Sequence, residues 1–115
     1  VDADRDHSIR DAVLRAWQGA EAYTLSSYHT VGRLNKGAQI GAEASTNKIV
    51  WSELDIMIHE TAMRILGARA ELIDDAEANE WLEGFLFSQA GPIYAGSNEI
   101  QRNIIAQRML GLPKS

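Results

Sequence analysis

Two long stretches of this chain place an apolar or small side chain at every third or fourth position, and no segment alternates with the two-residue period of a strand. In the first, Ile9, Val13, Ala16, Trp17, Ala20, Thr24, Ser27, Val31 and Leu34 fall on one side of a helical wheel. They predict a helix from about Asp6 to Asn35, roughly 45 Å long at 1.5 Å per residue. Lys36 and Gly37 are the expected break, because glycine supplies the backbone freedom that a C-terminal turn requires. The second run, Ile40, Ala44, Asn47, Val50, Trp51, Leu54, Met57, Ile58, Thr61 and Ile65, predicts another helix that ends at Gly67.

Between Ala68 and Ala76 the period is lost, so a connecting loop is expected, with Asp74 or Asp75 capping the next helix. From about Glu77, Trp81, Leu82, Phe85 and Leu86 form a short apolar stripe. It must stop before Pro92, because the residue preceding a proline avoids helical torsions. Ser97 is a good N-cap with Glu99 in the first turn behind it, and a last helix runs through Ile100 and Ile104 until Gly111 and Pro113 end it. About four helices with short connections make an all-α antiparallel bundle, read as one domain over residues 1–115. The start at Val1, without Met, suggests a piece of a longer chain.

A chain of 115 residues that is 45% hydrophobic supports one core. Its net charge of -5, with no cluster of Lys or Arg, argues against nucleic acid and against an anionic membrane surface. No apolar run approaches the ~20 residues of a membrane span. The absence of cysteine excludes disulfides, thiolate metal sites and a cysteine nucleophile, and fits a reducing, cytoplasmic setting.

Few residues carry obvious chemistry. His7, His29 and His59 lack the neighbours that would build a helical metal site, and are read as surface or interface residues; no metal is expected. His59-Glu60 resembles the start of a zinc-protease helix, but Met63 stands where the second histidine belongs. Asp74-Asp75 reads as a solvated cap more readily than as an acid-base pair. Trp17, Trp51 and Trp81 read as core. The stretch GPIYAGS, from Gly91 to Ser97, is different: small residues beside a helix start let a ligand approach the backbone, and a helix terminus offers free N–H groups. From the residues alone, a structural turn and a ligand site stand equal here.

The run from Ile93 to Gly111, IYAGSNEIQRNIIAQRMLG, resembles the ending of the acyl-CoA dehydrogenases, Ile-Tyr-Glu-Gly-Thr-x-x-Ile-Gln-Arg-x-Ile-x-Ala-Arg-x-x-Leu-Gly. Upstream, ASTNKIVWSE (Ala44 to Glu53) is similar to the family's Ala-Ser-x-x-Lys-x-x-x-Ser-Glu helix. MRILG (Met63 to Gly67) is similar to its Gln-Ile-Leu-Gly-Gly turn. The resemblance implies a C-terminal helical domain of an FAD enzyme that removes an α proton and a β hydride from an acyl-CoA thioester, a domain that packs with the rest of its chain and in dimers of dimers. It implies flavin contacts at Arg64, Gly67 and Ala68, which would approach the dinucleotide of a neighbouring subunit, and at Gly96, Ser97 and Glu99. Tyr94, Ala95 and Gly96 would form the wall of the acyl pocket. Arg64 stands for the family's Gln and Ala68 for its second Gly.

The departure that matters most is Ala95, which occupies the position of the usual catalytic glutamate; a methyl group accepts no proton. No catalytic residue is therefore assigned in this chain. Glu99 belongs to the family pattern and is not a replacement base. Family branches of the isovaleryl-CoA type carry the glutamate on an earlier helix, which here would precede Val1. Others, in bacterial steroid side-chain degradation, form heteromers in which one subunit lacks the base. The rival from another class is a free-standing helical interaction module whose last loop is only a turn.

Overall fold

The computed structural model describes residues 5–72 and 74–114; Val1 and, within the expected loop, Ile73 lie outside them. Four α-helices account for most of the described chain, and no described residue is in a strand. The first, α1, spans His7–Asn35. It begins where the sequence predicts because the Asp6 carboxylate accepts hydrogen bonds from the N–H groups of Ser8 (2.8 Å) and Ile9 (3.3 Å). It ends in a turn in which Ala38 N donates to Arg33 O (3.1 Å) and Gly37 takes φ 86°.

The second helix, α2, spans Glu43–Leu66. Ile40, which the period places on it, is exposed in the connection instead, because the helix starts only after Gly41 and Ala42 and is held at that point by an Arg33–Glu43 ion pair of 2.6 Å. Gly67 stops it with φ 55°. Part of the expected loop is ordered instead as a 3-10 turn over Gly67–Glu71. Asp75 caps α3, Ala76–Ser88, by accepting from Ala78 N at 3.1 Å, and Arg69 braces that carboxylate at 2.8 Å. Ser97 caps α4, Asn98–Arg108. Its end is closed by Leu112 N donating to Ala106 O (2.9 Å), with Gly111 at φ 67°.

The bundle is organised about α2, which packs against α1, α3 and α4 in turn. Ser8 meets Arg64 while Arg33 meets Glu43, and Gly84 meets His59 while Gly91, just beyond α3, meets Ser52, so α1 and α3 run antiparallel to α2. Among the described residues α1 packs on no helix but α2. The consequence is a wide apolar flank: Leu14, Leu25, Tyr28 and Val31 are exposed, and Trp17 is 61% exposed. Trp17 and Trp81 (39%) are thus not core residues within this chain, contrary to the reading from periodicity, and Trp51 is only half-buried. Leu86 on the α3 stripe is likewise exposed. Helical periodicity identifies the face that seeks a partner; it does not say whether the same chain supplies one.

The exposed area is 8239 Å². A compact monomer of 12.7 kDa exposes about 6,200 Å². The radius of gyration, 17.5 Å, likewise exceeds the about 13 Å of a compact domain of this length. An excess of roughly 2,000 Å² is the area of a substantial protein interface.

Candidate functional site

The loop between α3 and α4 is a chain of tight turns. Gly91 N donates to Ser88 O (2.9 Å), and Ile93 N and Tyr94 N both donate to Ala90 O (2.9 and 3.1 Å). Asn98 N closes the loop on Pro92 O at 2.8 Å. Gly91 is required by proximity: a Cβ there would lie 3.0 Å from Ser88 O and 3.3 Å from Ser52 Cβ, so the loop runs directly on α2. At the loop's tip, Ala95 has φ 55° and Gly96 φ 89°; Ala95 is the one described non-glycine residue with positive φ. For alanine this left-handed conformation costs roughly 1 kcal/mol, which the surrounding contacts must supply.

Those contacts come from α2 and α4. Asn98 is 3% exposed and Ser52 fully buried. Lys48 Nζ donates to Asn98 Oδ1 (2.8 Å), which orients the amide unambiguously because an ammonium only donates. Asn98 Nδ2 then donates to Ser52 Oγ at 3.0 Å, and the Ser52 hydroxyl has the Ile49 carbonyl at 3.1 Å. From α4, Gln101 Nε2 reaches the carbonyls of Ala95 (3.3 Å) and Gly96 (3.5 Å). Glycine at position 96 is favoured by its φ of 89°.

The N–H groups available to a ligand are not those expected at the helix start. Asn98 N is bonded to Pro92 O, Ile100 N to Ser97 Oγ and Gln101 N to Ser97 O. By contrast, no described residue accepts a hydrogen bond from the N–H of Ala95, Gly96 or Ser97. The donor set therefore lies in the strained turn, one to three residues before the helix. Glu99 has its carboxyl held below the usual range, first by its own backbone N–H and then by the Ser97 hydroxyl, with Arg102 and Lys48 adding attraction. These contacts hold the Glu99 carboxylate at the start of α4 as a helix-terminus residue.

Tyr94 stands beside the turn in an aromatic group that sequence order does not reveal. Its ring centroid is 6.1 Å from that of Trp51, edge to face at 63°, and 6.4 Å from that of Phe87. Tyr94, Ala95 and Gly96 are all exposed, so together they present an open wall. The other group of expected contacts lies far from them. Arg64, Gly67 and Ala68 sit at the opposite end of α2, where Arg64 donates to Ser8 Oγ (2.8 Å). From Ser52 to Gly67 the helix rises about 22 Å. One copy of the chain does not unite the two groups. Nearby, an apolar groove of about 340 Å³ runs between α1, α2 and α3 and is lined by Val13, Ile58, Ile65 and Trp81. His59 is half-buried with Nδ1 2.9 Å from Asp55 O and its ring against Trp81. Among the described residues no group of three or more His, Asp or Glu could hold a metal ion, and no helix is long and apolar enough to cross a membrane.

A four-helix chain whose α3–α4 loop ends in a glycine turn and a serine-capped helix fits the all-α C-terminal domain that the sequence resemblance implies. The model for "Acyl-CoA dehydrogenase, C-terminal domain" matches residues 4–110, and the chain belongs to that family. It is similar to acyl-CoA dehydrogenase IpdE1 of Mycobacterium tuberculosis (strain ATCC 25618 / H37Rv), 38% identical over 109 residues. It is also similar to acyl-CoA dehydrogenase IpdE1 of Mycolicibacterium smegmatis (strain ATCC 700084 / mc(2)155), 36% identical over 109 residues. The alignment covers 95% of this chain but 28% and 26% of those relatives, so the chain spans about a quarter of their length. No solved structure matches significantly.

Proposed function

We propose that this chain is the C-terminal bundle of an FAD-dependent enzyme that introduces an α,β double bond into an acyl-CoA thioester, and that it supplies flavin contacts, pocket wall and oligomer interface without the catalytic base. The observation that carries the reading is the turn at Ala95–Ser97. It offers three N–H groups with no acceptor among the described residues, beside an exposed tyrosine, and no proton acceptor of its own. Such a turn suits a ring edge or other acceptor-bearing group. When bound, the flavin would supply the hydride acceptor.

In this reading Gly96, Ser97 and Glu99 face the cofactor of the same copy. Arg64, Gly67 and Ala68 face that of a neighbouring subunit, an arrangement that their separation along α2 favours. Tyr94, Ala95 and Gly96 border the acyl chain. The methyl of Ala95 leaves more room there than a glutamate would, which favours a large or branched acyl group. The proton is removed by a carboxylate on an earlier helix of the same chain or on a partner subunit, and in the latter case this polypeptide is the non-catalytic member of a heteromer. The excess exposed area supports cover by other domains of the chain and by further subunits in a cytoplasmic dimer of dimers.

The test is a flavin and acyl-CoA turnover assay on the intact protein, with and without candidate partner subunits. The 115 residues alone are expected to show no flavin absorbance and to oxidise no acyl-CoA; dehydrogenation by them would sink the reading. In the intact protein, Ala95→Glu is expected to narrow the pocket without improving turnover, and a clear rate gain on a bulky substrate would contradict this.

A further inference from the structure

The Ala95–Ser97 turn is strained, exposed at its tip, and yet seated on the most completely buried polar group of the molecule. Three observations converge there. Asn98 closes the loop through its backbone N–H on Pro92 O, 2.8 Å, while its side chain is held from α2 by Lys48 at 2.8 Å and Ser52 at 3.0 Å. Ser52 and Gly91 are packed so closely that the loop admits no Cβ at position 91 without displacement. Immediately before Asn98 come Ala95, in a conformation alanine avoids, and the three N–H groups that lack acceptors among the described residues.

We propose that Asn98, held by Lys48 and Ser52, is a positioning residue that fixes the Ala95–Ser97 turn in its left-handed form before any ligand arrives. Asn98 points into the protein, where it is 3% exposed. It sets where the turn's N–H groups are aimed, so that binding does not also have to order the loop. An amide is suited to this place because it accepts from the ammonium and donates to the hydroxyl at once. Alanine would leave the half-buried Lys48 Nζ and the fully buried Ser52 Oγ each short of a partner. Lys48 thereby has a structural task inside the domain, distinct from any direct attraction to a ligand's phosphates.

The consequence for catalysis rests on the flavin-site reading; the effect on the turn does not. The experiment therefore reads both in the intact protein, using Asn98→Ala, Lys48→Met and the conservative Asn98→Asp, which keeps an acceptor for Lys48 while the Ser52 hydroxyl turns to donate. Ala78→Gly, in the buried first turn of α3, serves as a control that lowers thermal stability at a distance. Hydrogen exchange at Asn98, Ile100 and Gln101, whose N–H groups are bonded in the parent, is expected to rise about tenfold in Asn98→Ala and Lys48→Met, with α1 unchanged. The flavin dissociation constant is expected to rise by a similar factor and the visible flavin band to shift, whereas Asn98→Asp stays within about threefold of the parent. Wild-type exchange in both disrupting variants would overturn the inference, as would equal losses of flavin affinity in Ala78→Gly. A parent protein that binds no flavin would instead remove the dehydrogenase reading and leave the exchange result to decide the turn.

Discussion

Where α2 meets α3 and the start of α4, the buried positions are Ser52, Ser88, Gly91 and Asn98, and every buried side-chain polar atom among the described residues has a partner. On the far flank of α1 the positions are Trp17, Leu25, Tyr28 and Val31, all exposed. The first region is small, polar and complete; the second is large, apolar and uncovered. Small polar residues allow two backbones to approach and specify one register through directional bonds. Large apolar residues specify only that something must cover them. The bundle thus seats the candidate turn on buried polar groups that this chain satisfies by itself, and leaves the apolar flank of α1 uncovered within this chain.

That contrast can be broken at defined points. The largest effect is expected from Gly91→Ala, whose new methyl would sit 3.0 Å from the Ser88 carbonyl. Loss of about 1–3 kcal/mol in chemical denaturation is expected, and a neutral result would mean that the contact between α2 and the loop is loose. Next is Asp75→Ala, which removes the α3 cap and the Arg69 pair; a loss of about 1 kcal/mol should emerge first as faster exchange in α3. Ala95→Gly should act in the opposite sense, stabilising by up to about 1 kcal/mol by relieving the φ of 55°. Destabilisation there would argue against the left-handed turn. Trp17→Gln is expected to change the unfolding free energy of the separate chain by less than about 0.5 kcal/mol, yet to weaken its association in sedimentation, which distinguishes an interface from a core.

Acid should also discriminate. The Asp6 carboxyl is held low chiefly by the Ser8 hydroxyl, then by the N–H groups of Ser8 and Ile9. That of Asp75 is held low chiefly by Ala78 N–H, then by Arg69. Folded values below the unfolded ones mean that this stabilisation is fully present above about pH 4 and is lost as pH falls through the folded values. Thermal unfolding monitored between about pH 6 and pH 2 should show that loss concentrated below about pH 4.

Much of this was legible in the sequence because it is local. The caps at Asp6, Asp75 and Ser97 act within three residues of themselves, and the stops at Gly37, Gly67 and Gly111 all prove to have positive φ. The illegible part depends on residues far apart in the chain. The exposure of Trp17 and Trp81 follows from which helices α1 and α3 meet, not from their own period. Lys48 and Asn98 are 50 residues apart, and nothing in either segment announces the other. Ala95 carries no sign of a left-handed turn, since alanine does not favour one; only its neighbour Gly96 hints at it. The motif around Gly91–Ser97 pointed to free N–H groups at the helix start, whereas the N–H groups of Ala95, Gly96 and Ser97, which have no acceptor among the described residues, precede the helix.

Helix α1 has 29 residues and is anchored at one end by the tight turn at Gly37. At about 43 Å it lies along α2, with Gly19 against Leu54 at mid-length and Ile9 buried near its start. The hydrogen bond from Arg64 to Ser8 at one end and the Arg33–Glu43 ion pair at the other tie α1 to α2 at both ends, so its apolar flank is presented as a straight edge held at two fixed points.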